Sequence, residues 1–310
     1  MLWSEGYLNV IRLDPNRRGG KQMATISVVI PTFHRYEALG NVVADLLRQT
    51  VPPKQIIVVD NTRRPDRKQP SYLVSTRETE VLYISSSGEA RVNVARNEGL
   101  KAVTADYVIV FDDDMELPDD CVEKFLEVHA EGWDAVTGAV VEDTVMLEHQ
   151  RNGERPLWSV LLHWHGNNQG HTIAVPSGFV SMRASMIREL GLLDEAFVYN
   201  YDDYDLGYRI WSGGFTLIHD PRPTCHHLKL QVGGSRKELT GARRSLNKYT
   251  AKYYFLAKHF SRQAVVLEFL SDVLLSAWDF KWNIPRAVKE LTLVTSGFRG
   301  SINYARATDR

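Results

Sequence analysis

The stretch Tyr107-Val108-Ile109-Val110-Phe111-Asp112-Asp113-Asp114 decides how the chain is read. Its first five residues are aromatic or β-branched with no polar interruption, the pattern of a short buried strand. Three acids follow at once. Open α/β sheets bind ligands outside the carboxyl ends of their strands, so the acids stand where a ligand is met. Three adjacent carboxylates repel one another unless a cation lies among them. Asp112 and Asp114, as alternate members, could both face a divalent ion that takes hard oxygen ligands. A solvated acidic turn accounts for the triplet as well, because Pro118-Asp119-Asp120 follows and acids suit the first turn of a helix.

Upstream of this stretch the pattern alternates. Ile26–Ile30 reads as a strand, and Arg35–Gln49 as a helix with Leu39, Val42, Val43, Leu46 and Leu47 on one face. Ile56–Val59 and Val81–Ile84 read as strands, 61–71 as a charged loop, and Glu89–Val103 as a helix. Pro118–Ala130 reads as a helix opened by proline in its first turn. Such alternation predicts a doubly wound, largely parallel α/β sheet. Downstream, Ala135–Val141 and Thr172–Met182 are strand-like, with Met186–Leu190 a short helix. Asp203–Ser212 is helical up to Gly213-Gly214, and Phe215–His219 is a further strand. The irregular segment 142–171, rich in His, Asn, Trp and Gly, has the length of a functional loop. From Lys237 to about Val294 the chain reads as helical, broken at Ile284-Pro285.

The composition is that of an ordinary globular protein, with 44% hydrophobic and 24% charged residues among 310. The net charge of −1 hides an asymmetry: residues 1–228 carry 22 Lys+Arg against 32 Asp+Glu, and residues 229–310 carry 15 against 6. A basic tail on an acidic body suits an anionic partner, either a phosphate leaving group or a lipid surface, or else it neutralises the body within the fold. Charge alone is weak support for nucleic acid, and no nucleic-acid motif accompanies it. Cys121 and Cys225 make no disulfide framework, so a reducing cytoplasm and buried thiols are expected. Met1–Gly20 lacks the basic start and apolar core of a signal peptide. The most apolar stretch, Ala264–Trp278, is interrupted by Glu268 and Asp272, so no membrane span is expected. Lys248, Lys252, Tyr253, Tyr254 and Lys258 could present a basic-aromatic face, and Trp278, Phe280, Lys281 and Trp282 have the composition of an interfacial helix. Packing against the body is the competing reading.

Three strand ends carry polar tips: Pro31-Thr32, Asp60 and the triplet. In one parallel sheet these tips share an edge and line one crevice. Thr32 could cap the next helix, and Asp60 could accept from a base N–H or ribose hydroxyl or form a turn. Arg96, in Ala95-Arg96-Asn97-Glu98-Gly99, reads on chemistry alone as part of a surface helix. Asp202 and Asp203 open a helix, where one of them could act as a general base or cap the helix. In Cys225-His226-His227 a neutral imidazole could join carboxylates on a metal, although the spacing is too tight for all three to hold one ion. Gly233-Gly234-Ser235-Arg236 reads as a loop bearing a phosphate-binding arginine.

Taken in order, these segments resemble the inverting nucleotide-sugar glycosyltransferases of family 2, with the GT-A fold, from about Ile26 to about Arg236. The resemblance implies a catalytic region at 25–236, with a nucleotide-binding half at 25–133 and an acceptor-binding half at 134–236. An N-terminal extension at 1–24 and a basic helical region at 237–310 flank it. It implies Pro31, Thr32, Asp60 and Arg96 at the nucleotide, Asp112 and Asp113 at the ribose and diphosphate, and Arg236 on the diphosphate. Asp114 and His227 are the implied Mn2+ or Mg2+ ligands, with Asp112 and His226 as alternatives. Asp203 is the implied base, with Asp202 second, and Trp164, Gly178 and Asp202 the acceptor side. The implied donor is a nucleoside-diphosphate sugar, most often of UDP. The acceptor is a saccharide, lipid-linked or other hydroxyl, met in the cytoplasm or at the inner face of a membrane. The rival readings are a haloacid-dehalogenase-like phosphatase, which also places Asp-x-Asp after an apolar strand, and a non-catalytic sugar-nucleotide-binding protein.

Overall fold

The computed structural model describes residues 24–62, 68–86, 91–142, 145–147, 175, 178–198, 200–230, 241–278, 289 and 291–301. Arg236, Trp164, most of the irregular 142–171 segment, the break at Ile284-Pro285 and the aromatic residues Phe280 and Trp282 lie outside these residues.

The first half follows the alternation of the sequence. Strand β1 (Ile26–Thr32) leads through helix α1 (Tyr36–Leu47) to β2 (Gln55–Asp60). Then come β3 (Glu80–Ser85), α2 (Val92–Lys101), β4 (Tyr107–Phe111) and the two-residue β5 (Met115–Glu116). Helix α3 (Cys121–Ala130) starts after Pro118 rather than at it, so the proline precedes the helix instead of opening it. The second half holds β6 (Ala135–Glu142), β7 (Val145–Leu147), β8 (Phe179–Arg183), α4 (Ala184–Glu189), α5 (Asp202–Ser212) and β9 (Leu217–His227). Helices α6 (Gly241–His259) and α7 (Arg262–Trp278) follow.

The strands form one sheet in the order β3-β2-β1-β4-β8-β6-β9-β5, with β7 paired to β6. The pairs among β1 to β4 are parallel, as is β6 with β9, while β8 runs antiparallel to β4 and β6. Side chains alternate across a strand, and the core divides accordingly. Ile26, Val28 and Ile30 meet Leu39, Val42 and Leu46 of α1 and Val122, Phe125 and Val128 of α3. Val29, Ile57 and Val59 meet Ala95 and Leu100 of α2, Ile187 of α4 and Ile210 of α5 on the other face. Gly99 lets α2 lie close on that face, because a Cβ there would come within 2.4 Å of Val29 Cγ1.

Strand β9 corrects the sequence reading, which ended this strand at His219. It runs on to His227, past Pro221 and Pro223. The register against β6 jumps from Thr137↔His219 to Ala139↔Thr224. The extra residues bulge out, which is how a strand accommodates prolines that cannot donate to the ladder. The histidine pair therefore sits on a strand, not in a loop.

A third cluster joins the C-terminal helices to the body. Phe197, Tyr201, Tyr204 and Tyr208 pack with Tyr253, Tyr254, Phe255 and Leu256 of α6. Of the two readings of this region, packing against the body holds for most of the named residues, while Lys248 is exposed. Lys252, Tyr253 and Tyr254 are buried, and Lys258 is paired to Asp194 at 2.6 Å and to Asp205 at 2.7 Å. Aromatic bulk and paired charge are spent on docking α6 to the body.

Candidate functional site

The parallel register brings the predicted strand tips together. Thr32 at the end of β1 lies opposite Asp60 at the end of β2, and Asp60 opposite Ser85. The Asp60 side chain is fully buried and already well supplied with donors. It accepts from Tyr36 Oη at 2.9 Å, Tyr83 Oη at 2.7 Å and Thr62 N at 2.9 Å. A buried carboxylate must be paired in this way or pay for desolvation. The two tyrosines were not picked out in the sequence, since neither stands in a recognisable motif.

Each member of the acidic triplet has its own partners. Asp112 accepts from Arg96 Nη2 at 2.8 Å. Arg96 Nη1 lies 3.7 Å from Asp202 Oδ2, so one guanidinium reaches from the triplet to the start of α5. Arg96 is 4% exposed, which corrects its reading as part of a surface helix face. Gly178 lies against the same acid, because a Cβ there would come 2.3 Å from Asp112 Oδ2. Asp113 points inward to Thr32 Oγ1 at 2.8 Å and Arg35 Nη1 at 3.0 Å. Thr32 therefore holds the triplet rather than capping α1, whose first turn has no side-chain cap. Burial pushes the Asp113 carboxyl up to about 6, against the pull of Arg35 and Thr32.

Asp114 faces Arg35 Nη1 at 2.8 Å and His227 Nε2 at 3.4 Å. Burial alone would raise its pKa, but the His227 hydrogen bond and the Arg35 charge outweigh that and hold it below the usual carboxylate range. His227 Nδ1 is 2.8 Å from Glu142 Oε1, and Lys229 pairs with Glu142 in turn. With an acid on each ring nitrogen, first Asp114 and then Glu142, the His227 imidazole is raised despite its burial. Its neighbour His226 faces Glu116 at 3.5 Å instead. Cys225 turns inward, with Sγ 3.6 Å from Met115 Sδ. Strand alternation thus turns His226 away from the other two, and His227 is the member that meets the triplet. Arg35 and Glu142 were missed in the sequence. Arg35 stands three residues after Thr32, which is the one available signal.

At α5 the backbone takes an uncommon course. Asn200 and Tyr201 have φ of 63° and 62°, in the left-handed region that non-glycine residues avoid, and Tyr201 rather than Asp202 is the residue before the helix. The turn sets Asp202 and Asp203 at the helix start, where the N-terminal dipole favours carboxylates. The Asp203 carbonyl accepts from Val175 N at 3.1 Å, and the Gly178 carbonyl accepts from Asp112 N at 3.2 Å. Val175 is thereby hydrogen-bonded to the base candidate and Gly178 to the triplet.

Among the described residues no group of three or more His, Cys, Asp or Glu side chains is spaced to hold a metal. The Asp114–His227 pair offers one hard oxygen and one imidazole nitrogen. The carboxylate suits Mg2+ or Mn2+, Mg2+ at nucleotide sites fills most of its shell with water and phosphate oxygens, and a neutral imidazole can serve as a further ligand.

Comparison with known proteins agrees with this architecture. The family described as Glycosyl transferase family 2 matches residues 27–191. The segment spans β1 to the end of α4 and includes the triplet, while Asp203 and His227 lie beyond it. The chain is 28% identical over 141 residues to the glucosyl-dolichyl phosphate glucuronosyltransferase of Haloferax volcanii, covering 44% of each. It spans less than half the length of the curated relatives it matches. A mannosyltransferase from Pyrobaculum calidifontis in complex with GDP-Man and Mn2+ superposes with a TM-score of 0.54 at 14% identity, covering 92% of this chain and 75% of that one. GalNAc-T7 with UDP, GalNAc and Mn2+ gives the same TM-score and identity over 77% of this chain and 51% of that one.

Proposed function

The chain belongs to glycosyl transferase family 2 and has the GT-A fold, and on that premise we propose that it transfers one sugar, with inversion, from a nucleoside-diphosphate sugar to an acceptor hydroxyl. The observation that carries this reading is Arg96, which holds Asp112 of the triplet and reaches Asp202 beside the base candidate. Donor-binding and acceptor-activating acids thereby meet at one crevice. Family membership takes the place of the phosphatase alternative.

In this reading Asp203 removes the proton of the acceptor hydroxyl as its oxygen attacks the anomeric carbon. A new C–O bond forms on the face opposite the bond that breaks, the electron pair of the broken bond leaves with the nucleoside diphosphate, and the proton rests on Asp203. Pro31, Thr32, Asp60 and Arg96 frame the nucleotide. Asp112 and Asp113 stand on the ribose and diphosphate side, with Arg236 as a further diphosphate contact. Gly178 keeps the floor beside Asp112 open, and Asp202, with Trp164, belongs to the acceptor side. Asp114 and His227 would hold Mn2+ or Mg2+, which supplies Lewis-acid stabilisation of the leaving diphosphate. Both superposed structures contain Mn2+, one with UDP and one with GDP-Man. We take UDP as the first donor to test and GDP as the second.

A lipid-linked acceptor suits the chain, since the Haloferax volcanii relative is named for a dolichyl phosphate substrate. Among the described residues no helix is long and apolar enough to cross a membrane. Helix α7, however, exposes Val266 (48%), Leu267 (50%), Leu270 (49%) and Leu274 (70%) on one face. We propose that this face rests on an anionic bilayer at the cytoplasmic side, helped by the basic excess of residues 229–310.

The function is tested by screening UDP-, GDP- and dTDP-sugars for thermal stabilisation with Mn2+ and with EDTA, then assaying the stabilising donors on lipid-linked and saccharide acceptors by mass spectrometry. At least one donor should stabilise the chain in an EDTA-sensitive way and yield a product one sugar heavier. No stabilisation by any donor would overturn the reading.

A further inference from the structure

We infer that Arg35 is a built-in counter-cation of the acidic triplet, competing with a divalent ion for the Asp114 carboxylate and so weakening ion binding. The inference rests on the Asp114–His227 reading of the metal site and adds a residue that the reading does not use.

The competition follows from one carboxylate. Asp114 Oδ2 is 2.8 Å from Arg35 Nη1 and 3.4 Å from His227 Nε2. An ion held jointly by Asp114 and His227 draws on that carboxylate while a fixed positive charge stands in contact with one of its oxygens. Like charges a few Å apart, in a site shielded from water, repel far more than they would in bulk solvent. Arg35 cannot drift away cheaply. Its side chain is only 14% exposed. Nη1 also donates to Asp113 Oδ1 at 3.0 Å, and Nη2 donates to the Leu230 carbonyl at 3.3 Å.

Charge matching in the triplet supports the same view. Arg96 takes Asp112, and Arg35 takes both Asp113 and Asp114. Every acid of the triplet thus has a guanidinium partner, and an ion that enters displaces a contact already made instead of meeting bare charge. The planar fork matters, because a lysine in this place would be a point charge unable to hold the triplet and the Leu230 carbonyl together. Leu230 lies three residues beyond His227, so Arg35 also ties the chain leaving β9 to the triplet. Coupling between two ligands of one group is reciprocal: whatever Arg35 costs the ion, the ion costs the grip of Arg35 on Asp114.

The test is Mn2+ binding to the nucleotide-free full chain, followed by the EPR signal of free Mn2+, for wild type, Arg35→Gln, Arg35→Lys and Asp114→Asn. Arg35→Gln should bind Mn2+ about tenfold more tightly, within the usual range of coupling effects, and Arg35→Lys by a smaller factor. A purely structural arginine would leave affinity unchanged or lower it when removed. Should Arg35→Gln fail to fold, Arg35→Lys alone decides, and unchanged or weaker affinity overturns the inference. Asp114→Asn separates the two claims. If it abolishes Mn2+ binding while the Arg35 variants bind as wild type, only the competition is refuted. If it binds Mn2+ as wild type, the metal reading falls and the competition with it.

Discussion

Asp202 and Asp203 are adjacent acids of one kind, yet their surroundings differ. Asp202 is within 3.7 Å of the buried Arg96, whereas Asp203 accepts through Oδ1 from the backbone N–H of Tyr204 at 3.0 Å. A carboxylate engaged by a guanidinium has fewer lone pairs left to meet an acceptor hydroxyl. The difference favours Asp203 as the base. Asp203→Asn should lower kcat by about 10^2 to 10^4, the usual contribution of a general base, and leave nucleotide affinity within about twofold. Turnover kinetics and a nucleotide titration check both, and unchanged turnover would move the role to Asp202. Motif order was enough to single out these two acids as candidates, and likewise Asp114 and His227, which the fold brings to 3.4 Å of each other. It could not show that His227 rather than His226 faces Asp114, because that depends on the bulge in β9. Nor could it show Arg35, whose place in the site arises only when β1 and β4 pair side by side.

Helix α5 sits between the candidate site and the C-terminal helices. Its first turn carries Asp203 at the site and Asp205 in the interior. Asp205 is 1% exposed and meets Arg209 Nε at 2.8 Å, Lys258 Nζ at 2.7 Å and His259 Nε2 at 2.7 Å. Burial opposes its charge, but the His259 hydrogen bond and the two cations outweigh burial and lower its pKa to about 2. An acid depressed on folding contributes stability that is present above its unfolded value and lost as pH falls through its folded one. The window here runs from about pH 4 down to about pH 2, and the contribution is about 2 kcal/mol at 1.36 kcal/mol per unit. Urea denaturation across that window should show wild type losing this amount more than Asp205→Asn. The variant should also be less stable at neutral pH, since it leaves buried cations poorly paired. Parallel slopes for the two proteins would remove Asp205 from the acid response. The helix itself was legible from its acids and the closing Gly213-Gly214. Its burial partners were not, since Lys258 and His259 lie more than fifty residues away and carry no local signal of where they dock.

Across the molecule, the first half of the chain was the most readable part, because β/α alternation and the unbroken apolar runs of the buried strands both act locally. The basic excess of the C-terminal region was misleading at this scale. Lys252 is spent on Asp272 at 2.8 Å and Lys258 on Asp194 and Asp205, so part of the charge anchors helices instead of facing a partner. The unspent feature is apolar: α7 buries Val265 and Glu268 on one side and leaves Val266, Leu267, Leu270 and Leu274 outward. Four such residues on one exposed helix face cost solvation unless something covers them, and contiguous patches of this kind mark interaction surfaces. An anionic bilayer answers both the apolar face and the remaining positive charge, since interfacial helices bind through buried apolar area and attraction to anionic lipid together. Wild type should therefore sediment with vesicles of anionic lipid at low salt, and less with neutral ones. Leu270→Glu with Leu274→Glu should abolish sedimentation while leaving transfer to a soluble acceptor analogue near wild type, because neither leucine belongs to the crevice. Equal sedimentation of the double variant, or none by wild type, would overturn the membrane assignment and leave the exposed face to a protein partner.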